Sequence, residues 1–240
     1  MKINDPAEIK LIKKTLQNYT KAFQKWDISK LVAAFHPEAK TIWFVPERGG
    51  YISSMCYGWV RSFIQNKKEK LVIGYTTFDE NIDQSGTAAY VRFRFLIEDG
   101  EYSRDTTDYL TLLKFGDDWN IVNKSGFTMD KTVEEIVKIK EEKTKTNRNI
   151  PNELELITLK LKTYAEAFNE WDIEKIRNVF HPEVRVNSVD VETNKFKCQT
   201  RSIGVWKEVF ENRQKDNVKF KTQIEFIDQL GTSTVVRMRW

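Results

Sequence analysis

The chain has 240 residues, of which 40% are hydrophobic, 12% aromatic and 31% charged. This composition is typical of a folded globular protein and excludes a fibrous or an intrinsically disordered chain. Lys and Arg number 39 and Asp and Glu 35, and both signs are spread along the chain, so we expect no concentrated cationic patch and no nucleic-acid partner.

The N-terminal segment and the cysteines indicate in which cellular compartment the protein is expected. The first ten residues contain no apolar stretch of the kind found in signal peptides, and no membrane-spanning stretch follows. Cys56 and Cys198 are dispersed, so we expect reduced thiols rather than a disulfide framework. These features predict a cytoplasmic protein without a membrane partner.

One segment of the chain occurs twice, and this repetition predicts the domain organisation. Residues 19–38 read YTKAFQKWDISKLVAAFHPE, and residues 164–183 read YAEAFNEWDIEKIRNVFHPE, at an offset of 145 residues. Two copies of one fold are therefore expected. The predicted parts are a complete domain over residues 1–129, a charged helical linker over 130–152 and a second copy over 153–240.

Each copy begins with apolar residues at helical spacing. Apolar residues recur at alternating steps of three and four over residues 9–26 and again over residues 154–171, which predicts two amphipathic helices with the same buried face. We expect Asp5 to cap the first helix, with Glu8 reaching back to it. The residues predicted to cap the other helices are Asn152 with Glu155, Asp27 and Asp172.

The segment after the short second helix predicts a change from helix to sheet. The His-Pro pair at 36–37 ends the second helix, because a residue before proline is disfavoured in the helical conformation. We then expect a strand over 41–45, a turn at Gly49-Gly50 and a third helix over 54–67. From Leu71 onward the apolar period changes to two, which predicts an antiparallel meander.

Two turns predict the register of this meander. A two-residue hairpin at Asp99-Gly100 would pair Arg94 with Asp105 and Val91 with Asp108, and one at Gly116-Asp117 would pair Leu112 with Ile121 and Leu110 with Asn123. Arg94 and Asp105 would then form an ion pair on the polar face. The face predicted to be covered by helices carries Ala89, Val91, Phe93, Leu110, Leu112, Trp119 and Ile121.

The second copy stops at Trp240, which corresponds to Phe95 of the first copy. The last two strands of the first copy therefore have no counterpart in the second. A sheet that ended there would expose an apolar edge, which proteins avoid. We expect either that the natural chain continues past Trp240 or that another subunit donates the missing strands.

A set of motifs accompanies this order of elements. They are Tyr19, Trp26-Asp27, Phe35-His36-Pro37, Thr107-Asp108-Tyr109-Leu110, Leu112-Leu113-Lys114 and Trp119-Asn120-Ile121-Val122-Asn123-Lys124. With these motifs the chain resembles the nuclear transport factor 2-like superfamily, and most closely its "putative lumazine-binding" family, over nearly all of the first copy and the first two thirds of the second.

The resemblance implies an α+β fold in which a cone-shaped, curved antiparallel sheet wraps around N-terminal helices, in two tandem copies. This superfamily looks like a scaffold for isomerases, dehydratases, hydrolases and non-catalytic binders alike. The resemblance therefore implies a pocket but no particular reaction.

Two aspartates are candidates for proton chemistry. The predicted register places Asp108 on the apolar face, where burial would raise the pKa of its carboxyl and suit it to act as a general acid or base. Alternatively, Asp108 lies at the open end of the cone or bonds neighbouring polar groups. Asp79 shares this face if the turn at 83–85 has three residues, whereas a one-residue bulge would direct it to solvent.

The other candidate site residues are polar or aromatic side chains predicted near the pocket. His36 is a second catalytic candidate, although at a helix end it would equally cap free carbonyl groups. Tyr19 and Trp59 would bind a ligand or simply fill the core, and Trp43 would stack on a planar ligand with the same alternative. The predicted ligand-binding set is Tyr19, His36, Trp59, Asp79, Asp108 and Asn123.

Three functions remain open from the sequence. The first is non-catalytic binding of a small, partly apolar molecule in the pocket of the first copy. The second is an isomerase or dehydratase with Asp108 as proton carrier and Tyr19 or His36 polarising a carbonyl. The third is an interaction module, a pseudo-dimer within the chain or a homo-oligomer formed through the sheets. We expect no metal and no cofactor, because the histidines and cysteines are few and dispersed and no phosphate-binding loop is present.

Overall fold

The computed structural model describes residues 3–45, 50–71, 73–98, 103–142, 149–182, 184–190, 195–200, 203–212, 221–230 and 233–239. The chain forms two compact units, Met1–Lys145 with Val189–Phe196 and Thr146–Ser188 with Lys197–Trp240. Helices precede a sheet in each copy, so the fold is α+β, as predicted.

The first unit begins with helices, continues into a sheet and ends in a helix. Its elements are α1 (Pro6–Lys25), α2 (Ile28–Ala34), β1 (Phe35–Val45), β2 (Gly50–Met55), a 3-10 turn (Cys56–Trp59), α3 (Val60–Lys68), β3 (Gly74–Ser85), β4 (Ala88–Glu98), β5 (Ser103–Phe115), β6 (Asp118–Lys131) and α4 (Val133–Glu142). The strands form a six-stranded sheet in the order β2-β1-β6-β5-β4-β3, in which neighbouring strands are antiparallel except for β1 and β6, which are parallel.

The helix-covered face of the sheet is the predicted one. Every residue assigned to it from the alternating pattern is buried and belongs to one core cluster. From α1, the cluster receives Ile12, Leu16 and Tyr19, which are at most 2% exposed. The apolar residues that recur every 3.6 positions in α1 and every second position in the strands therefore pack together in a single core.

Most of the predicted helix caps are confirmed. Asp5 accepts a hydrogen bond from the backbone N–H of Ala7 at 3.0 Å, and Asp27 and Asp172 cap α2 and its counterpart in the same way. Glu8 does not reach back. Its carboxylate instead accepts from Lys114 Nζ at 2.6 Å and Trp119 Nε1 at 2.8 Å, and these bonds lower the pKa of Glu8.

The predicted third helix is too long at its N-terminal end. Residues 50–55 instead form β2 on the edge of the sheet, antiparallel to β1, with Thr41 opposite Ser54. The hydroxyl groups of Thr41 and Ser54 share a hydrogen bond of 2.8 Å, so Ser54 bonds across the sheet and does not cap a helix. Helical structure begins only at Cys56. The turn predicted at Gly49-Gly50 lies partly outside the described residues.

The observed register between β4 and β5 differs from the predicted one by two residues. Arg94 pairs with Thr107 and Val91 with Leu110, because the ladder closes at Glu98 and Ser103. The turn itself, predicted at Asp99-Gly100, lies outside the described residues. An even shift keeps each side chain on its predicted face.

The ion pair predicted on the polar face is buried. Arg94 reaches Asp105 diagonally and donates to its two carboxylate oxygens, from Nε at 3.0 Å and from Nη2 at 2.8 Å. Their side chains are only 9% and 2% exposed. This fork of two hydrogen bonds therefore lies in a drier environment than a surface pair, and its loss would leave a charge with little water around it.

The charged segment predicted as a solvated linker contains α4, which packs on the first unit. Ile136 and Ile139 are 3% and 9% exposed and form a small cluster with Leu96 of β4. Lys140 adds an ion pair of 2.8 Å with Glu98. The helix therefore contributes its apolar side to the face of the sheet opposite α1, whereas Val133 and Val137 stay exposed.

The second copy repeats the first in its described parts. Its elements are α5 (Pro151–Glu170), α6 (Ile173–Val179), β7 (Arg185–Asp190), β8 (Lys195–Thr200), α7 (Ile203–Asn212), β9 (Gln223–Leu230) and β10 (Ser233–Arg239). The described strands form two pairs, β7 with β8 and β9 with β10.

The predicted cap of α5 by Asn152 and Glu155 is wrong. The helix begins at Pro151 behind Ile150, without a side-chain cap. Pro151 takes the first helical position, which suits its fixed φ.

Small backbone details also recur in both copies. Asn4, at φ 53°, accepts from the backbone N–H of Gln84 at 2.7 Å, and Asn149, at φ 56°, accepts from that of Gln229 at 2.9 Å. Trp26 and Trp171 end the first helix of each copy in the left-handed conformation. A detail that is strained for most residues and occurs at equivalent positions supports the tandem repeat. Of the helices that the structure describes, none has the length and apolarity needed to cross a membrane.

The packing of α4 predicts the outcome of a paired substitution. Ile136→Ala removes buried apolar contacts. It should therefore lower the free energy of local unfolding, as obtained from exchange of the backbone amides of α4 and of the adjacent part of β4, by about 2–4 kcal/mol. Val137→Ala on the same helix, where the side chain is 47% exposed, should change it by less than about 0.5 kcal/mol. Hydrogen exchange of the full chain measures both, and equal effects would show that α4 does not pack through Ile136.

Candidate functional site

Asp108 of β5 lies at the centre of the first unit. It pairs with Phe93 of β4 on one side and with Gly126 of β6 on the other, and its side chain is 0% exposed. Because the register shift is even, Asp108 lies on the helix-covered face, as predicted. A carboxylate in this position has lost its hydration and needs protein partners.

Two side chains bind the Asp108 carboxylate. The Tyr19 hydroxyl on α1 donates to Oδ2 at 2.5 Å, and Lys124 on β6 donates from Nζ to Oδ1. The Lys124 side chain is 6% exposed, and its ammonium lies 5.4 Å from the Trp43 ring centroid and 5.8 Å from that of Tyr19. The positive charge is therefore balanced by the carboxylate and also faces two π-systems.

Sequence reasoning missed Lys124 because of a β-bulge. The ladder between β5 and β6 shifts by one residue between Leu112 and Thr111, so that Leu110 pairs with Lys124 and not with the predicted Asn123. Val122 is the extra residue. The signal was present in the sequence: Ile121 and Val122 are adjacent apolar residues that interrupt the alternation, and both are buried.

Gly126 makes room for the carboxylate. A Cβ atom at this position would lie 2.8 Å from Asp108 Oδ1, 3.4 Å from the backbone oxygen of Thr107 and 3.5 Å from Trp43 Nε1. The first distance is shorter than any normal contact of a Cβ atom. The absence of a side chain at residue 126 is therefore what leaves room for the Asp108 carboxylate beside β6.

The tyrosines beside Asp108 stay protonated. Burial raises the pKa of the Tyr19 hydroxyl well above its usual range, and the negative charge of Asp108 raises it further. The pKa of Tyr75 is raised by the same two causes, whereas a hydrogen bond with Tyr19 lowers it. Tyr19 is therefore a hydrogen-bond donor to the carboxylate at neutral pH.

A cavity of 310 Å³ opens above this group. Cross-strand pairs give it three layers: a floor of Phe93, Asp108 and Gly126, a middle of Phe95, Thr106 and Thr128, and a rim of Ile97, Arg104 and Asp130. In the middle layer the two threonine hydroxyls lie 3.3 Å apart. The residues that line the cavity are Tyr19, Phe23, Trp43, Trp59, Tyr75, Phe95, Ile97, Arg104, Thr106, Lys124 and Thr128.

The structure brings some of the predicted site residues together and separates others. Tyr19 and Trp59 line the cavity, with Trp43 beside Trp59 at 6.2 Å between ring centroids. Asp108 lies behind Tyr19 and Lys124. Asn123 pairs with Thr111, whose position alternates with those of Leu110 and Leu112, so it belongs to the opposite face of the sheet.

His36 lies apart from the cavity-lining residues. It is part of β1 and its ring stacks on Phe115 at 4.8 Å between centroids, beside the turn that joins β5 to β6. Its Nδ1 accepts from the backbone N–H of Glu38 at 3.2 Å, and burial lowers the pKa of its imidazole. These contacts differ from the predicted capping of a helix end, because the chain is already extended at Phe35.

Asp79 is described only by its backbone. The β3–β4 ladder runs to Ser85 and Ala88, so the turn has two residues and the three-residue turn predicted at 83–85 is wrong. A register shift between Thr77 and Asp79 pairs Asp79 with Arg94. Its register position is therefore on the face opposite to that of Asp108.

The described part of the second copy repeats the aromatic frame of the first helix. Tyr164 and Phe168 pack edge to face at 5.1 Å, as Tyr19 and Phe23 do at 5.2 Å. Among the residues that the structure describes in either copy, no three His, Cys, Asp or Glu side chains are grouped to hold a metal ion.

The sequence matches the family described as "Putative lumazine-binding" over residues 7–126 and again over residues 152–240. The chain belongs to this family. The two matched segments are consistent with two tandem copies of its fold, which is the arrangement that the repeat predicts. No curated protein matches the chain.

Solved structures similar to the chain include proteins described as nuclear transport factor 2-like. A protein of unknown function from Shewanella baltica OS155 is 21% identical, with 51% of this chain and 94% of that chain covered and a TM-score of 0.40. A "Putative Scytalone Dehydratase" from Novosphingobium aromaticivorans is 15% identical (52% and 89% covered, TM-score 0.42). The CaMKII hub of S. rosetta is 17% identical (50% and 95% covered, TM-score 0.40).

The close packing of Gly126 against Asp108 predicts that an added side chain at residue 126 destabilises strands β5 and β6 locally. Gly126→Ala should lower the free energy of opening of β5 and β6 amides by about 1–3 kcal/mol, because the added methyl group pushes the Asp108 carboxylate from its partners. Gly58→Ala is the matched control, since a Cβ atom at Gly58 meets nothing within 4 Å. Hydrogen exchange measures both, and an unchanged Gly126→Ala variant would contradict the close packing of Gly126 against Asp108.

Proposed function

We propose that the first unit binds a small, planar, largely apolar molecule in the cavity above Asp108, without transforming it. The observation that carries this proposal is the composition of the wall. Six of the lining residues are aromatic, and they come from α1, β1, the 3-10 turn, β3 and β4. Aromatic side chains from so many elements provide faces and edges for a flat ring system.

The size of the cavity supports a ligand of one or two rings. At 310 Å³ it lies at the lower end of the range of pockets that hold small molecules. Its polar groups are few and placed at separate depths: Lys124 near the floor, Thr106 and Thr128 in the middle, and Arg104 at the rim. Such a distribution suits orientation of a mainly apolar ligand by a few hydrogen bonds.

The description of the family is consistent with this proposal. Lumazine, which the family description names, is a flat, fused two-ring molecule of the size that the cavity suits. The side chains of the cavity favour a planar ring system as a class and do not select a pteridine over others. The proposal is therefore made for the class of ligand.

Binding without chemistry is favoured because Asp108 is not available to a ligand. Its side chain is fully buried, and both carboxylate oxygens already have a partner in Lys124 or Tyr19. A general base needs to reach the proton that it abstracts. The Asp108 carboxylate would first have to lose one of these bonds.

An isomerase or dehydratase remains the second candidate, with Tyr19 in the role that the sequence suggested for Asp108. The Tyr19 hydroxyl adjoins the cavity and has a hydrogen bond of only 2.5 Å to Asp108, through which a proton can pass between the two groups. In this case Tyr19 would exchange the proton with the ligand and Asp108 would hold it. The third hypothesis, association through the sheets, stays a prediction from the sequence.

A neutral fluorophore tests the binding proposal on the full chain. Prodan, a neutral naphthalene derivative whose emission rises in an apolar environment, should bind at one saturable site. It should quench the tryptophan emission of the chain by energy transfer, with Trp43 and Trp59 in the cavity wall among the donors. Thr128→Trp, which places a large side chain at an exposed position on the cavity wall, should abolish this binding. Lys21→Trp on the exposed side of α1 is the control for an added tryptophan.

Two results would contradict the binding proposal. Equal enhancement in the native chain and in Thr128→Trp would place the fluorophore outside the cavity. So would a signal that rises without saturation.

A further inference from the structure

We infer that the molecule bound in this cavity is an uncharged, conjugated carbonyl compound, and that the Lys124 ammonium donates a hydrogen bond to its carbonyl oxygen at the floor. This inference rests on the binding function proposed above and names the chemical class of the ligand. It follows from the hydrogen bonds of the buried ammonium and from the charge that lies beside it.

The Lys124 side chain extends from the core to the cavity. Its backbone pairs with Leu110, which is fully buried and lies one layer deeper in the sheet than the floor. The ammonium reaches up to the Asp108 carboxylate in the floor layer. There it lies 5.4 Å from the ring centroid of Trp43 and 5.8 Å from that of Tyr19, and all three residues line the cavity. The charged end of the lysine is therefore at the base of the cavity wall.

The ammonium has more donors than its protein partners use. Such a group carries three N–H donors. In the part of the chain that the structure describes, it donates one hydrogen bond, to Asp108 Oδ1, and faces two aromatic rings. The hydroxyl hydrogen of Tyr19 is already engaged by Asp108 Oδ2. Lys124, whose side chain is only 6% exposed, therefore keeps N–H groups for a ligand.

A ligand that fills the cavity covers these N–H groups. A hydrocarbon would shield them from water and leave them unpaired, which is unfavourable for a buried donor. A carbonyl oxygen at the inner end of the ligand accepts one of them, and a hydrogen bond from a charged donor is stronger than one between neutral groups. Aromatic ketones and lactams carry such an oxygen in the plane of a flat molecule, which also suits the aromatic walls.

The charges at the floor favour an uncharged acceptor over an anion. Asp108 and Lys124 form an ion pair, so their charges compensate each other. A ligand carboxylate bonded to Lys124 would place a second negative charge beside the fully buried Asp108 carboxylate, and two carboxylates that share a site disfavour each other's charged form. A carbonyl oxygen accepts the same hydrogen bond without adding a charge.

A cationic ligand is the other competing class, because aromatic walls also bind cations. The Lys124 ammonium already faces the Trp43 and Tyr19 rings. A second cation against these rings would be repelled by that charge. It would also offer no acceptor to the N–H groups of Lys124.

Three probes of one shape test the inference on the full chain by equilibrium dialysis. They are 2-acetonaphthone, 2-isopropenylnaphthalene and 2-naphthoate, which carry a ketone, an alkene and a carboxylate at the same position of one ring system. The ketone should bind about ten-fold more tightly than the alkene, as expected for one hydrogen bond to a charged group, and more tightly than the carboxylate. The alkene is the most apolar of the three, so apolar transfer alone would give the opposite order. Binding in the cavity is identified by its loss in Thr128→Trp.

A double variant tests whether Lys124 is the donor. Lys124→Met alone leaves the Asp108 carboxylate unpaired and is expected to destabilise the first unit, whereas Lys124→Met combined with Asp108→Asn removes both charges. In the double variant the ten-fold preference for the ketone over the alkene should be lost. Lys21→Met, on the exposed side of α1 and outside the cavity lining, is the control and should keep it. A preference that survives the double variant would show that another group holds the carbonyl oxygen and would overturn the assignment.

A second measurement needs no variant. A hydrogen bond weakens a C=O bond, so the stretching band of bound, ¹³C-carbonyl-labelled 2-acetonaphthone should lie at lower wavenumber than the band of the same ketone in hexane. A band at the hexane position would show that the bound carbonyl accepts no hydrogen bond and would contradict the inference.

The outcomes separate this inference from the function on which it rests. If the alkene or the carboxylate binds in the cavity as tightly as the ketone, the cavity binds planar molecules but the carbonyl class is wrong. If Prodan binds in the cavity and 2-acetonaphthone does not, the inference is again wrong. If none of the four molecules binds there, the proposed function fails as well.

Discussion

The ion pair between Asp108 and Lys124 is the interaction on which the first unit depends. Removing two charges from water costs several kcal/mol for each ion, and the cost is offset only when each is paired and hydrogen-bonded. The structure meets this condition with three elements: α1 supplies Tyr19, β5 the carboxylate and β6 the ammonium. A slip of one residue between β5 and β6 would separate the charges, so the pair also selects the register.

The features that belong to the fold can be distinguished from those that form the candidate site. Both copies carry the edge-to-face tyrosine and phenylalanine on the first helix and the left-handed tryptophan at its end, so these features belong to the fold. In the described part of the first unit, the buried charges of Asp108 and Lys124 and the cavity above them are built on this frame, since function depends on a few side chains placed on a common scaffold.

The fold was largely predictable because its signals are periodic. The helical stripe of α1 and the alternation in β4 and β5 identified the buried face, and Asp108 kept its place there because the register error was even. Lys124 was missed because a bulge at Val122 reverses which residues face the core. The interrupted alternation at Ile121 and Val122 was its signal in the sequence, but a register counted from the turn alone passes over it. The stacking of His36 on Phe115 could not be predicted, because an isolated histidine near a helix end has several partners available and this stacking is a long-range contact. The edge strand β2 was missed because a short polar segment carries little apolar pattern.

A double-mutant cycle at the ion pair tests most directly whether the first unit depends on it. Lys124→Met and Asp108→Asn each leave one buried charge without its partner and should each cost about 3–5 kcal/mol, read from hydrogen exchange of β5 and β6 amides in the full chain. The double variant removes both charges and should cost less than the sum of the two, with a coupling energy of about 2–3 kcal/mol. Additive effects within about 0.5 kcal/mol would show that the two side chains do not depend on each other, and would contradict the central role of the pair in the first unit.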